Sequence, residues 1–122
     1  MNRQILFRAK RVFDNKFEYG FLSWHDLGHG KNYFINNQAI ISETVGQFTG
    51  MTDKNGTKIF EGDIVRHIDT TCHVVEVVNS EVYFDTEMLK FRFRYSNELF
   101  HCQFNNECEV IGNIYDNKDL LK

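Results

Sequence analysis

The chain has 122 residues, 42% hydrophobic and 25% charged, a balance that excludes a disordered chain and suits one domain or one domain with a small appendage. The formal net charge of -3 gives the whole molecule no attraction for nucleic acid or anionic membrane, and no apolar run approaches the ~20 residues that span a bilayer. No signal-peptide core is visible and the three cysteines form no CxxC pair, so we expect a cytoplasmic protein with reduced thiols.

The first half alternates short apolar segments with turn residues. Strands at 5–9 and 17–24 are predicted to form a hairpin about a turn at Asp14-Asn15. The stretch 25–32 holds two glycines among polar residues and predicts a loop. Further short strands are predicted at 33–35, 39–41 and 44–48.

The second half contains the clearest strand pattern. Residues 90–95 alternate basic with aromatic side chains, and this period of two predicts a half-buried strand. Asn55-Gly56 is a strong turn signal, because both residues adopt positive φ at little cost. One helical turn is expected at 86–89 or in the C-terminal tail. Further strands are predicted at 64–68, 73–78, 81–84, 99–104 and 109–115.

Three stretches resemble a known family when taken in order: residues 5–9, 45–65 and 109–117. The central one is specific, because it is long and combines Asp53-Lys54-Asn55-Gly56 with Glu61-Gly62-Asp63. Together they resemble the YopX family of small phage and prophage proteins. Lys10 stands where that family often has an aromatic residue.

The resemblance implies a phage or prophage protein acting in a bacterial host cell, with an SH3-type barrel in its C-terminal half. It brings no catalytic residue. We therefore expect a mainly β protein with at most one or two short helices. An N-terminal β-hairpin region at 1–58 would pack on, or swap with, a barrel and tail at 59–122, unless 1–122 is one integrated domain. Gly62-Asp63 before the strand at 64–68 suits a tight turn into that barrel.

The best-defined candidate site is a turn motif between residues 50 and 63. One interpretation is a loop that presents Asp53, Lys54, Glu61 and Asp63 to a partner. The other, which we favour, is a hairpin and barrel entry in which glycine and asparagine supply backbone freedom. A calcium loop is excluded, since the downstream Glu of a twelve-residue EF-hand loop is missing. The predicted structural residues are Gly50, Asp53, Asn55, Gly56, Gly62 and Asp63.

Cysteines and histidines provide weak candidates for a metal or a nucleophile. They lack the close ligand spacing of structural zinc sites, and His25 and His29 would share a face only on a helix. No phosphate loop, nucleophile elbow or zincin motif is present. We predict no enzyme activity, catalytic residue, metal or cofactor. The weak candidates are Cys72, His73, His101, Cys102 and Cys108.

A basic strand face is the candidate for nucleic-acid binding. Lys90, Arg92 and Arg94 would line one face and could contact phosphates. Alternation places the neighbouring aromatic residues on the opposite face, where they cannot stack with the same bases. In an acidic chain we favour a solvated face that blocks edge-to-edge aggregation.

Protein association is the function that the sequence favours. Twelve phenylalanines exceed what one small barrel buries, and exposed aromatic area usually marks an interface. Edge strands also offer pairing to another chain. We predict a non-enzymatic accessory protein that associates with itself as a homo-oligomer or with an unidentified host or phage protein, and with no membrane. A nucleic-acid-binding accessory protein is the alternative.

Overall fold

The computed structural model describes residues 4–69, 76–95, 100–103 and 107–121, and for residues 69 and 100–103 it describes the backbone alone. Antiparallel strands make up most of these residues. The prediction of a mainly β protein is confirmed. Contacts divide the chain into a first unit, Met1–Gly50, and a second unit, Met51–Lys122. The boundary after residue 58 between two domains stays a prediction. None of the described helical segments is long and apolar enough to cross a membrane.

The first unit holds six strands and a 3-10 helix. β1 pairs with β2 and with the start of β6, while β4 pairs with β3 and β5. Every pairing is antiparallel. The elements are β1 (Phe7–Lys10), β2 (Phe17–Gly20), β3 (Leu22–Asp26), β4 (Lys31–Ile35), β5 (Gln38–Ala39), the 3-10 helix (Ser42–Thr44) and β6 (Gly46–Thr52), whose last two residues belong to the second unit.

Two predictions in the first unit are corrected. The single strand expected at 17–24 is broken at Phe21, because the Asn36 side chain donates to the Tyr19 carbonyl at 2.9 Å and occupies the space beside Gly20. The loop expected at 25–32 is shorter. Cross-strand pairing of Trp24 with Tyr33 extends β3 and β4, leaving a turn at 27–30.

β1 separates an apolar face from a cationic one. On the apolar face, Ala9 is buried with Ile35 and Ile40. On the other face Arg8 and Lys10 are buried, and each places its cationic group within 4.4 Å of the Phe17 ring centre. The buried lysine at position 10 is therefore accommodated through a cation–π contact. Partly buried apolar residues complete this core: Phe7, Leu22, Tyr33 and Val45.

The second unit is built on an open five-stranded sheet in the order β11-β10-β9-β8-β12. Strands β8 to β11 follow one another as neighbours, and β12 returns to pair with β8. Within the described residues β11 and β12 are opposite edges, so closure into an SH3-type barrel is not established. The elements are β7 (Lys58–Phe60), β8 (Asp63–Asp69), β9 (Glu76–Asp85), β10 (Lys90–Tyr95), β11 (Phe100–Gln103), β12 (Cys108–Asn113) and a second 3-10 helix (Lys118–Leu121).

Of the two places predicted for a helical turn, the C-terminal tail is confirmed, because it holds the second 3-10 helix, while residues 86–89 form a non-helical turn. The two strands expected at 73–78 and 81–84 are one continuous β9 in their described part, and 73–75 lie outside it. Polar Asn79-Ser80 does not break the strand, because the buried Ser80 hydroxyl lies 2.7 Å from Nε2 of the buried His67. A paired hydroxyl can stay inside a strand at little cost.

The core of the second unit combines apolar residues with that polar pair. The His67 ring lies 4.5 Å from the ring centre of Phe93, which is fully buried. The hydrogen bond to Ser80 therefore lies in apolar surroundings, where losing it is costly. The buried apolar residues that pack together in this cluster are Ile59, Val65, Val82, Phe93 and Cys108.

Ser80→Ala is expected to lower the free energy of unfolding by about 1–3 kcal/mol, because it removes the hydroxyl that bonds His67 in the core. Urea unfolding followed by far-ultraviolet circular dichroism measures the change. Ser23→Ala is the matched control, since its exposed hydroxyl lies on β3. The control is expected to change stability by less than about 0.5 kcal/mol, and an equally small change for Ser80→Ala would refute this role.

Candidate functional site

Asp53 organises the turn that follows β6. Its side chain is only 5% exposed. Oδ1 accepts hydrogen bonds from the backbone N–H groups of Asn55 at 2.8 Å and Thr57 at 2.9 Å, and Oδ2 accepts one from Val110 at 2.9 Å. The Asp53 carbonyl also accepts the Gly56 N–H at 3.0 Å. The carboxylate is therefore used internally, on backbone donors.

These donors set the protonation of Asp53. Burial by itself raises the pKa of a carboxyl group, but the backbone hydrogen bonds from Val110, Thr57 and Asn55 favour the charged form more strongly. The pKa of Asp53 is therefore lower than its ordinary value, and the side chain is a carboxylate at neutral pH.

The turn is attached to β12 by more than Asp53. The Lys54 N–H donates to the Cys108 carbonyl at 3.1 Å, and the Asn55 side-chain amide donates to Glu109 at 3.2 Å. At its tip Gly56 has a φ of +83°, a conformation that other residues adopt with strain. The turn motif thus connects two distant segments of the second unit.

Asp63 and Gly62 perform a second structural task at the entry to β8. Asp63 is buried, and its Oδ2 accepts the Phe60 N–H at 2.8 Å. Gly62, with a φ of +92°, donates its N–H to the Val82 carbonyl and accepts the Ile114 N–H. The carboxylates of Asp53 and Asp63 are therefore buried and bonded to backbone N–H groups, which is the geometry of a structural motif and leaves these two side chains unavailable to a partner.

The basic side chains of β10 share one face, and the neighbouring strand brings carboxylates to that face. Arg92 Nη1 lies 2.9 Å from Asp85 Oδ2. Arg94 makes two contacts with Glu81, from Nη2 at 3.1 Å and from Nε at 3.3 Å. Two of the three candidate phosphate contacts, Arg92 and Arg94, are therefore paired within the protein, while Lys90 is exposed at the strand end.

Further observations show that the charges of Arg92 and Arg94 are compensated within the protein. Hydrogen bonding from Arg92 is the main cause that lowers the pKa of Asp85. The guanidinium of Arg94 lies 4.2 Å from the centre of the Tyr83 ring and covers it. Sequence reasoning missed these β9 partners. The alternation at 81–85 and the turn at 86–89 carry the signal, because together they place β9 beside β10.

Large apolar side chains are exposed on the first unit. Phe13 and Phe21 are 76% and 77% exposed, and Trp24 is 52% exposed. Isolated exposed apolar residues are common, but three large rings on one small unit are unusual. Other exposed apolar residues of this unit are Ile5, Val12, Tyr19 and Leu27.

The hairpin of β3 and β4 presents Trp24. Leu22 and Tyr33 pack on the core of the first unit, and Trp24 lies on the same face as they do. Lys31 Nζ lies 4.5 Å from the centre of the Trp24 ring. The apolar face of this hairpin therefore continues past the core into solvent.

The described cysteine and histidine side chains give no reactive pair. Burial raises the pKa of the Cys108 thiol to about 11, so it is not a thiolate at neutral pH. His67 is opposite Cys108 on β8, but its Nε2 bonds Ser80. His25 is in a strand and His29 in a turn, so they share no helical face. The remaining candidates lie outside the described residues or side chains: Cys72, His73, His101 and Cys102.

The family model described as YopX protein matches residues 7–122. The chain belongs to the YopX family. Its structure is also similar to the crystal structure of protein EF1440 from Enterococcus faecalis, with a TM-score of 0.55 and 22% identity over 99% of this chain and 100% of that chain. That likeness concerns the fold. No curated protein sequence matches the chain.

Two of the stretches that carry the YopX resemblance meet in the structure. Residues 45–65 contain Asp53 and Asn55, whose partners Val110 and Glu109 lie in residues 109–117. The stretch 109–117 also contains a turn that Asn113 stabilises, because its Oδ1 accepts two backbone N–H groups. The YopX pattern in the second unit therefore describes one hydrogen-bonded structural cluster.

Asp53→Asn is expected to destabilise the second unit of this YopX protein by about 1–3 kcal/mol at pH 7, because the amide replaces a charged acceptor of three N–H groups. The folded-state pKa is depressed, so the stabilisation is present above the unfolded value near ~3.9 and is lost as pH falls through the folded value. Thermal unfolding between pH 2 and 7 measures it.

In that titration the melting temperature of the wild type should fall more steeply below about pH 4 than that of Asp53→Asn. Asp119→Asn, an exposed position in the second 3-10 helix, is the control and should follow the wild type. Parallel curves for the wild type and Asp53→Asn would show that the Asp53 carboxylate does not stabilise the fold.

Proposed function

We propose that this protein is a non-enzymatic phage or prophage accessory protein that acts in the bacterial cytoplasm by protein association, first with further copies of itself. The exposed rings of the first unit carry the proposal. Fully burying one such side chain is worth about 1.5–3 kcal/mol, so a contact that covers several of them is strongly favoured. An unidentified host or phage protein is the other partner that this surface accommodates.

The positions of the polar groups support a non-enzymatic role. The Ser80 hydroxyl and the Cys108 thiol are buried, and the carboxylates of Asp53 and Asp63 are bonded to backbone N–H groups. A nucleophile or general base has to reach a substrate. These groups are instead used inside the fold.

Nucleic-acid binding through Lys90, Arg92 and Arg94 is the weaker candidate. The ion pairs with Asp85 and Glu81 would have to be exchanged for phosphate contacts, which removes much of the electrostatic gain.

We also propose that the second unit has the SH3-type arrangement that the family resemblance implies. The return of β12 to the side of β8 supports it.

Light scattering on a size-exclusion column, across protein concentration and salt, tests the proposed association. We expect a mass that is a multiple of 14.5 kDa, stable to salt and free of nucleic acid. Charge reversal at Lys90, Arg92 and Arg94 should leave the oligomer intact and still free of nucleic acid. A strict monomer at every concentration would refute self-association.

The same column distinguishes the alternative. A complex with nucleic acid that salt removes, and that charge reversal at the three β10 positions abolishes, would favour the nucleic-acid function. The dependence on salt is decisive, because phosphate contacts release counterions while apolar contacts do not.

A further inference from the structure

β3 (Leu22–Asp26) is an edge strand with little protection. It pairs with β4 along its length, and the described part of the chain places no strand on its other side. Edge strands are usually blocked by lysine, proline or a bulge, because their unpaired N–H and C=O groups attract another strand. β3 has none of these, and its single charged residue, Asp26, stands at its end.

The face of β3 that carries Trp24 is also only partly covered by the rest of the first unit. Leu22 packs on the core, whereas Trp24, two residues further along the same face, is half exposed. The contact with Lys31 holds the indole in place at the strand edge. Leu27, at the start of the turn, is also exposed. A strand added beside β3 could therefore pair with its backbone N–H and C=O groups and pack on the Trp24 side chain.

We propose that β3 pairs antiparallel with β3 of a second copy, about a two-fold axis that passes beside Trp24. This inference rests on the proposed self-association and locates it. In that register Trp24 faces Trp24 of the second copy, and Ser23 faces His25. The two three-stranded sheets, β3-β4-β5, then form one continuous sheet across the dimer.

The sequence of β3 suits a second copy of itself. A two-fold axis perpendicular to the sheet keeps the same face of both strands together, so the two Trp24 rings meet, with Cβ atoms about 4.5–5.5 Å apart. Antiparallel pairing places the two Asp26 carboxylates at opposite ends, roughly 14 Å apart at ~3.4 Å per residue. That distance exceeds the screening length of ~8 Å at physiological salt. Parallel pairing would bring the two carboxylates together.

Charge substitution at Trp24 tests the two-fold directly. Trp24→Lys and Trp24→Glu each place like charges opposite one another, so each alone should weaken the dimer by roughly tenfold or more. Mixing the two variants places Lys opposite Glu across the axis, and a heterodimer of wild-type mass should form. Sedimentation velocity on each variant and on the mixture gives the masses, and far-ultraviolet circular dichroism verifies that both variants fold.

Met88→Lys is the matched control, because it introduces the same charge at an exposed apolar residue of the second unit, outside β3 and outside the exposed rings of the first unit. It should leave the mass unchanged, and an equal loss of dimer would overturn the assignment to β3. A monomeric wild type overturns self-association altogether. A wild-type oligomer that Trp24→Lys leaves intact overturns the β3 interface alone. Monomeric variants whose mixture stays monomeric overturn the two-fold pairing.

Discussion

The second unit depends on one buried carboxylate. Asp53 accepts backbone N–H groups from its own turn and from Val110, which is 57 positions away in sequence. The turn and β12 are thereby held in register by hydrogen bonds. Because the donors are backbone groups, these three hydrogen bonds depend on the Asp53 side chain and on the backbone of the turn, and they do not depend on the side chains of Thr57 or Val110.

That constraint explains what the YopX pattern describes. Asp53, Gly62 and Asp63 are used to shape the backbone around β7, β8 and β12, and their polar atoms are directed inwards. A family resemblance built on such residues predicts a fold and carries no information about a partner. The surface proposed for association lies in the first unit, where the resemblance is short and the apolar side chains are exposed.

Local patterns predicted the strands better than their partners. Alternation alone predicted β10, and the Asn55-Gly56 pair predicted the turn, because both signals are contained in a few neighbouring residues. The ion pairs of Arg92 and Arg94 depend on the register with β9, which is set across the turn at 86–89. Likewise the break at Phe21 arises from Asn36, a contact that the sequence near Phe21 does not reveal.

Titration of the Asp53 carboxyl by carbon-13 nuclear magnetic resonance, with the Val110 amide followed in the same samples, is the most direct test. We expect a pKa below the ordinary value of ~3.9, with the Val110 amide signal changing over the same pH range. A pKa at or above the ordinary value, or a Val110 amide that ignores the titration, would contradict the claim that this carboxylate joins the turn to β12.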